Sequence, residues 1–494
     1  MALGIAGLYA ASRFWGLTKL PVFTDEGAFI QLAARVWNGD LFEPIKYGKL
    51  LHVWIIALVL PWTSNPLWAA RSITACGGFL ALYACVQLGA RLFSIQSGLL
   101  CAALYVICPF TLFHDRMALS DGLLSTFAAL TVVFSIALVQ DNRRRYAYLL
   151  SLAMTGAILS KMPGLLTLLT PIVTVFLIGT APRMRVMRKL AISYFITFAI
   201  CIYPVAKFIL TTRETEGRTV VGAGAPALVK QFLSNVHTAY DWLFFYWTPP
   251  ILFLGLAGLV LAIVRRKRRY LLLGAVSFIP IFAFVAVSTI WFPRYILLAT
   301  VPMLALVSGI AHDADDFLAS SKFAPPLRWL PATLALVLVF FFAYRVDWLL
   351  IANPAIAPLP NIERVQYMEA WPSGYGVAEA ADYLRQFAAR SEKVIVVTHH
   401  DFGDTTDFGL SAYFMNEKRI AFRHLFIRPG REIAALVGWS RTNPTFVVLN
   451  RPPASQNPSE QPDVAELLKV AKLVASYPKP GGRAAVDLYS VNGP

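Results

Sequence analysis

The sequence predicts a polytopic α-helical membrane protein of about eleven transmembrane helices, followed by a C-terminal soluble α/β domain. The first ground is composition. Of 494 residues 57% are hydrophobic and only 15% charged, with mean hydropathy +0.59, more apolar than a soluble core requires. The second is distribution: the apolar residues fall in blocks close to the ~20 residues that cross a bilayer. The third is a change of pattern near residue 352, after which short strand-like runs alternate with helical ones.

Along the chain the spans read near 2-20, 66-90, 95-112, 121-140, 146-160, 163-180, 189-210, 249-264, 271-290, 293-311 and 329-350. Arg13 interrupts the first, which lacks the basic leader and small-residue cleavage site of a signal peptide and so reads as a true span. Residues 21–65 form the first outer loop. Within it Thr24-Asp25-Glu26-Gly27 precedes Ala28, Phe29, Leu32, Ala33, Val36 and Trp37 at helical spacing, and Asn38-Gly39 ends the run. Thr24 or Asp25 is expected to cap this helix. The transmembrane domain thus covers 1–351 and the soluble domain 352–494.

Orientation follows from short basic loops. Arg143 to Arg145, then Arg183, Arg185, Arg188 and Lys189, then Arg265 to Arg269 fall in alternate loops, which assigns those loops and the N-terminus to the cytoplasm. The first loop and the tail then face outward from an inner (plasma) membrane. The net charge of +16 is largely this topological signal. It does not indicate nucleic-acid binding, because no basic run interleaves with stacking aromatics on a soluble face. All five cysteines fall in predicted spans, so the outward domain has no disulfide and no cysteine-based metal site.

In the tail, strands are expected at Val394-Thr398, Thr445-Asn450 and Ala485-Val491, and helices at Val377-Ala389, Glu432-Val437 and Val464-Val474. His399, His400, Asp401, Asp404 and Asp407 cluster after the first strand, where α/β sheets often bind ligands. Their spacing matches no metal site, and they read better as a polar loop with side-chain turn bonds.

The informative cations lie on the wrong side. Lys49, Arg71, Arg116, Lys161 and Arg294 map to outer ends of spans or outer loops, where basic residues should be depleted. Asp25, Glu26, Asp115 and Asp121 supply part of the balance, and a phosphate at the outer leaflet would account for the rest. Each cation taken alone reads equally as a side chain snorkelling to the headgroups; together they favour a site. Asp25 and Glu26 are carboxylates at the lipid boundary, which is costly to desolvate unless they pair or perform chemistry.

The order Asp25-Glu26-Gly27-Ala28-Phe29, Tyr47-Gly48-Lys49 before Trp54, Ala70-Arg71, Arg116 to Asp121, Lys161-Met162-Pro163-Gly164 and Arg294-Tyr295 resembles the C-type (GT-C) membrane glycosyltransferases. More narrowly, it is similar to the branch holding protein O-mannosyltransferases and the bacterial aminoarabinose transferase of lipid A. The resemblance covers about residues 1 to 311. It implies a polyprenyl-phosphate sugar donor and a hexosyl or pentosyl transfer to an extracytoplasmic lipid, glycan or protein. It also implies Asp25 as catalytic base, with Glu26 orienting it or contacting the acceptor. Lys49, Lys161, Arg294 and Tyr295 would serve the donor phosphate, Asp121 would position the site, and Arg71 and Arg116 would support it.

Two departures from the pattern stand out. Lys49 is followed by Leu50-Leu51-His52 rather than by two prolines, and Gly48 stands where an acidic, metal-binding residue can occur. The sequence therefore gives no support for a divalent metal there, although His237 in a later outer loop leaves some room. Phe29 stands where an aromatic hydroxyl is frequent. The expected chemistry needs no cofactor: a carboxylate takes the acceptor proton, cations stabilise the departing phosphate, and a single displacement inverts the sugar. A lipid or oligosaccharide transporter is the alternative, but its charges should sit near mid-membrane on interrupted helices.

Overall fold

The computed structural model describes residues 1–179, 183–215, 225–320, 329–399, 404–425, 431–451 and 464–491. It divides into two compact units, one of residues 1–15, 41–55 and 71–351, the other of residues 16–40, 56–70 and 352–494. Residues 16–40 and 56–70 were expected with the transmembrane domain 1–351 and group instead with the tail.

In the membrane unit most expected spans are helices, and their lengths separate them. Among the described residues, six are long and apolar enough to cross a bilayer: Pro66–Leu92, Ser120–Asp141, Met184–Thr211, Arg268–Val287, Pro293–Leu318 and Leu330–Ala352. Two bent pairs raise this to eight if each pair is one span: Ile95–Ile107 with Pro109–Asp115, bent by 64°, and Leu228–Tyr246 with Thr248–Val264, bent by 117°. Prolines explain both breaks. Pro109 and the Pro249-Pro250 pair lack the N–H that would continue the helix, and each opens a new one. The segments Ala2–Phe14, Arg144–Ser160 and Met162–Ile178 are helical but shorter.

Ser120–Asp141 is the centre of this bundle, with 89% of its apolar window buried, against 22% for Met184–Thr211. Glycines let neighbours pack closely against it and against the helix Arg144–Ser160. A Cβ on Gly156 would stand 2.5 Å from the Phe127 ring, and one on Gly164 would stand 2.3 Å from the Ala157 backbone. The turn holding Lys161 is thereby folded back onto the helix before it.

The tail is a five-stranded mixed sheet of β1 (Val394–His399), β2 (Ile420–Leu425), β3 (Thr445–Arg451), β4 (Ala471–Pro478) and β5 (Ala485–Val491), in the order β2-β1-β3-β5-β4. β1 runs parallel to β2 and β3, whereas β5 is antiparallel to β3 and β4. Helices Val377–Ala388 and Thr405–Phe414 bury one face through Val377, Leu384 and Leu410, and Leu436 and Leu467 lie on the other. The expected helix 464–474 stops at Leu467, because the residues from Ala471 onward pair with β5 instead.

The first-loop helix, Thr24–Trp37, packs within this same unit. A Cβ on Gly27 would be 2.5 Å from the Phe408 carbonyl oxygen, so glycine permits direct backbone contact with Thr405–Phe414. Gln31 Nε2 donates to Ser411 Oγ one turn further on.

Candidate active site

In the membrane unit three helix ends deliver charge to one place. Asp121 lies in the first turn of Ser120–Asp141, where the helix dipole favours a carboxylate. Lys161 follows the last residue of Arg144–Ser160 in extended conformation, and Arg294 lies in the 3-10 turn Pro293–Ala299. Lys161 Nζ donates to Asp121 Oδ1 at 2.7 Å, and Arg294 Nε stands 4.0 Å from Asp121 Oδ2. All three are largely buried, with side-chain exposures of 12%, 3% and 7% for Lys161, Asp121 and Arg294. Lys49 adds its charge to the field at Asp121. One carboxylate thus stands among three cations, and this group is positive on balance.

Aromatic faces orient the cations. Lys161 Nζ lies 4.1 Å from the centre of the Tyr295 ring, and the Arg294 guanidinium lies 4.6 Å from that of Phe292. Lys49 follows Gly48, whose φ of +63° ends the turn Glu43–Tyr47 in the left-handed region. A Cβ there would also be 2.9 Å from Met162 Cγ, which disfavours any acidic residue at this position.

Arg116 is tied to the first helix. Its Nη1 donates to the carbonyls of Ser12, Arg13 and Trp15 at 2.7, 3.1 and 2.9 Å, capping the first helix. Arg71 is fully buried within electrostatic reach of it. His114, which sequence reasoning passed over, is fully buried against Phe110, Phe113 and Tyr246 and within the field of Asp121, Lys161 and Arg294. Its place beside Asp115-Arg116 was the available signal.

Flanking Lys161 in sequence, Ile158 and Leu165 line an apolar groove of about 590 Å³ that continues along Phe198, Cys201, Val205 and Ile209. Its walls are almost wholly hydrocarbon, suited to an alkyl or isoprenoid chain.

In the other unit the adjacent carboxylates separate. The first-loop helix starts at Thr24, so neither Thr24 nor Asp25 caps it. Glu26 does, reaching back to accept from the Phe23 N–H at 2.9 Å while fully buried. Asp25 is half-buried. Of the polar cluster in the tail, His400 and Asp401 lie outside the described residues. Asp404 caps Thr405–Phe414 by accepting from the Thr406 N–H at 2.9 Å, and Asp407 pairs with His424 Nδ1 at 2.6 Å. His237 pairs with Asp241 at 3.5 Å. Among the described residues no three His, Cys, Asp or Glu side chains gather as a metal would need.

Residues 48–210 match the family model described as dolichyl-phosphate-mannose-protein mannosyltransferase. The fold is similar to that of ArnT from Cupriavidus metallidurans in the apo state, with 15% identity, 98% of this chain and 97% of that one covered, and a TM-score of 0.60. Over residues 48–210 the chain is thus similar to that mannosyltransferase family, and as a whole it is similar in fold to ArnT. ArnT bound to undecaprenyl phosphate matches at 14% identity over the same shares of both chains, with a TM-score of 0.60. The fold is also similar to that of the Archaeoglobus fulgidus oligosaccharyltransferase in the apo form, at 13% identity over 90% of this chain and 69% of that one, with a TM-score of 0.53. No curated protein sequence matches. The matched segment includes Lys49, Arg71, Arg116, Asp121 and Lys161, whereas Asp25, Glu26, Arg294 and Tyr295 lie outside it.

Proposed function

We propose that the protein transfers a single sugar from a polyprenyl-phosphate carrier to a hydroxyl of an extracytoplasmic lipid, glycan or protein, inverting the anomeric carbon. The observation that carries this reading is the cluster of Lys49, Lys161 and Arg294 around the buried Asp121, with an apolar groove beginning at the residues that flank Lys161. A phosphate monoester or diester on a long isoprenoid has both properties that such a site selects. The match to an undecaprenyl-phosphate complex supports the same donor class.

In the reaction the acceptor oxygen bonds to the anomeric carbon as the bond from that carbon to the phosphate oxygen breaks. The hydroxyl proton passes to Asp25, and the electron pair leaves with the polyprenyl phosphate. Asp25 takes this role because Glu26 is committed to the helix start. A placed base contributes on the order of 100-fold to 10,000-fold. The departing charge is met by cations that are already fixed, so little reorganisation is required. Asp121 holds the lysine and arginine in register, and Tyr295 supports Lys161 from its ring face. Asp25 and the cations are assigned to one reaction by the order of motifs in the sequence. The chemistry as written needs no cofactor.

The topology proposed with it has about eleven crossings, a cytoplasmic N-terminus and an extracytoplasmic tail, in the inner membrane. Its support is that each expected segment overlaps a helix, that six to eight of these among the described residues are long and apolar enough to cross, and that the basic loops alternate. A transporter is not proposed, since the charges of the cluster lie at helix ends. The test is release of labelled sugar from a panel of undecaprenyl-phosphate pentoses and hexoses by purified protein supplied with membrane-lipid and cell-wall acceptors. Transfer from at least one donor is expected; failure of undecaprenyl phosphate itself to bind would refute the donor class.

A further inference from the structure

The segment Ala370–Gly374 uses its backbone in an unusual way. Four consecutive carbonyls accept hydrogen bonds from side chains or amides distant in sequence. Lys479 Nζ donates to Ala370 O at 3.0 Å and to Ser373 O at 2.7 Å. Thr405 Oγ1 donates to Trp371 O at 2.7 Å, and Asn450 Nδ2 approaches the same oxygen at 3.4 Å. The remaining carbonyl, Pro372 O, accepts from the Thr24 N–H at 3.1 Å, the amide immediately before Asp25. The strap is therefore anchored to the tail on three of its carbonyls, and the fourth holds the turn that presents Asp25.

Packing reinforces this. A Cβ on Gly374 would lie 2.1 Å from Val22 O, so strap and first loop are in backbone contact. The Phe23 ring lies 4.6 Å from that of Tyr367, and Ser373 Oγ donates to Tyr367 O at 3.1 Å. Lys479 is brought inward by the hairpin between β4 and β5, where Gly481 and Gly482 adopt φ of +89° and +69°. It is 2% exposed, an expensive place for an ammonium group unless its N–H bonds are used.

We propose that Lys479 is a positioning residue for the transfer reaction, fixing the Ala370–Gly374 strap so that Asp25 is held at its working position. This rests on the reading of Asp25 as base. Displacement of a catalytic group by about 1 Å can cost on the order of 100-fold in rate while binding is spared.

The test is a double-mutant cycle on the full-length protein with Lys479→Met and Asp25→Asn, using labelled undecaprenyl-phosphate sugar. Lys479→Met is expected to lower kcat by about 10- to 100-fold with donor KM unchanged. In the Asp25→Asn background it should cause no further loss, because no base remains to be misplaced. Equal losses in both backgrounds would reduce Lys479 to a stability residue and overturn the proposal, as would full activity of Lys479→Met. Should that variant not accumulate as folded protein, the isosteric Thr405→Val removes one bond to the same strap. It must then show a smaller loss with the same kcat-only, Asp25-dependent pattern, or the proposal fails. An Asp25→Asn variant that transfers at full rate would instead refute the reading of Asp25. An inactive Asp25→Asn beside a fully active Lys479→Met would refute this inference alone.

Discussion

Adjacent carboxylates with opposite duties make the sharpest prediction. Glu26 is fully buried and its Oε2 accepts from the Phe23 N–H at 2.9 Å, whereas Asp25 is half-buried and outside the cap. Removing the cap with Glu26→Ala loses roughly 1 kcal/mol of capping. It also strands a buried amide at about 1–3 kcal/mol, for a total near 2–4 kcal/mol. Glu26→Gln keeps an acceptor in place and forfeits only the charge at the helix start, about 0.3–1 kcal/mol. Asp25→Asn should cost stability no more than about 1 kcal/mol by the same dipole term. Its effect on chemistry runs the other way: loss of proton acceptance should lower transfer by about 100-fold or more, at least ~2.7 kcal/mol of barrier. The assay pairs thermal unfolding in detergent with sugar release at saturating donor. The expected pattern is crossed, with Glu26→Ala unstable and Asp25→Asn stable but inactive. A stable Glu26→Gln with no transfer, beside an Asp25→Asn with normal transfer, would refute the division of labour.

Lys161→Met and Arg294→Met should each weaken binding of undecaprenyl phosphate by about 1.5–3 kcal/mol, the worth of a charge-assisted contact, measured by titration with the lipid phosphate alone. Unchanged affinity in both would remove them from the donor site. Burial holds the Glu363 carboxyl well above its ordinary value of 4.5. The unfolded chain then ionises first, so this group's contribution to stability is complete below pH 4.5 and is lost as pH rises toward the folded value. Glu363→Gln should accordingly flatten the decline in unfolding temperature above that range, and an unaltered profile would contradict the assignment. In a cysteine-free background, cysteines at Arg144 and Arg266 should resist an impermeant thiol reagent in intact cells while one at Arg390 reacts; the reverse would invert the topology.

What was legible in the sequence was what local pattern encodes. Uninterrupted apolar runs marked the spans, and the short β-branched apolar runs at Val394–Thr398, Thr445–Asn450 and Ala485–Val491 marked three strands of the sheet. Edge strands escaped notice because pairing alone defines them. β2 carries the exposed polar residues Arg423 and His424, and β4 reads as the continuation of an amphipathic helix until β5 claims its backbone. The helix Ala225–Tyr246 was hidden by Lys230, Asn235, His237 and Asp241, which break its hydropathy without breaking its hydrogen bonds. At the site, the outer-end position of the cations was legible, whereas the choice of Glu26 over Thr24 as cap was not. That choice turns on where the helix begins, and this is set by Pro372 O gripping the Thr24 amide from more than three hundred residues away.

Gly27, with its backbone laid against Phe408, bears on how such a protein can be altered. A tail exchanged between relatives would bring a new surface opposite residues 16–40 and 56–70 and leave the Asp25 turn without its seat. Substitutions that retune the tail for another acceptor are therefore constrained by the first loop, and the two segments, remote in sequence, form one unit of inheritance. A working chimera must cut the chain at both places.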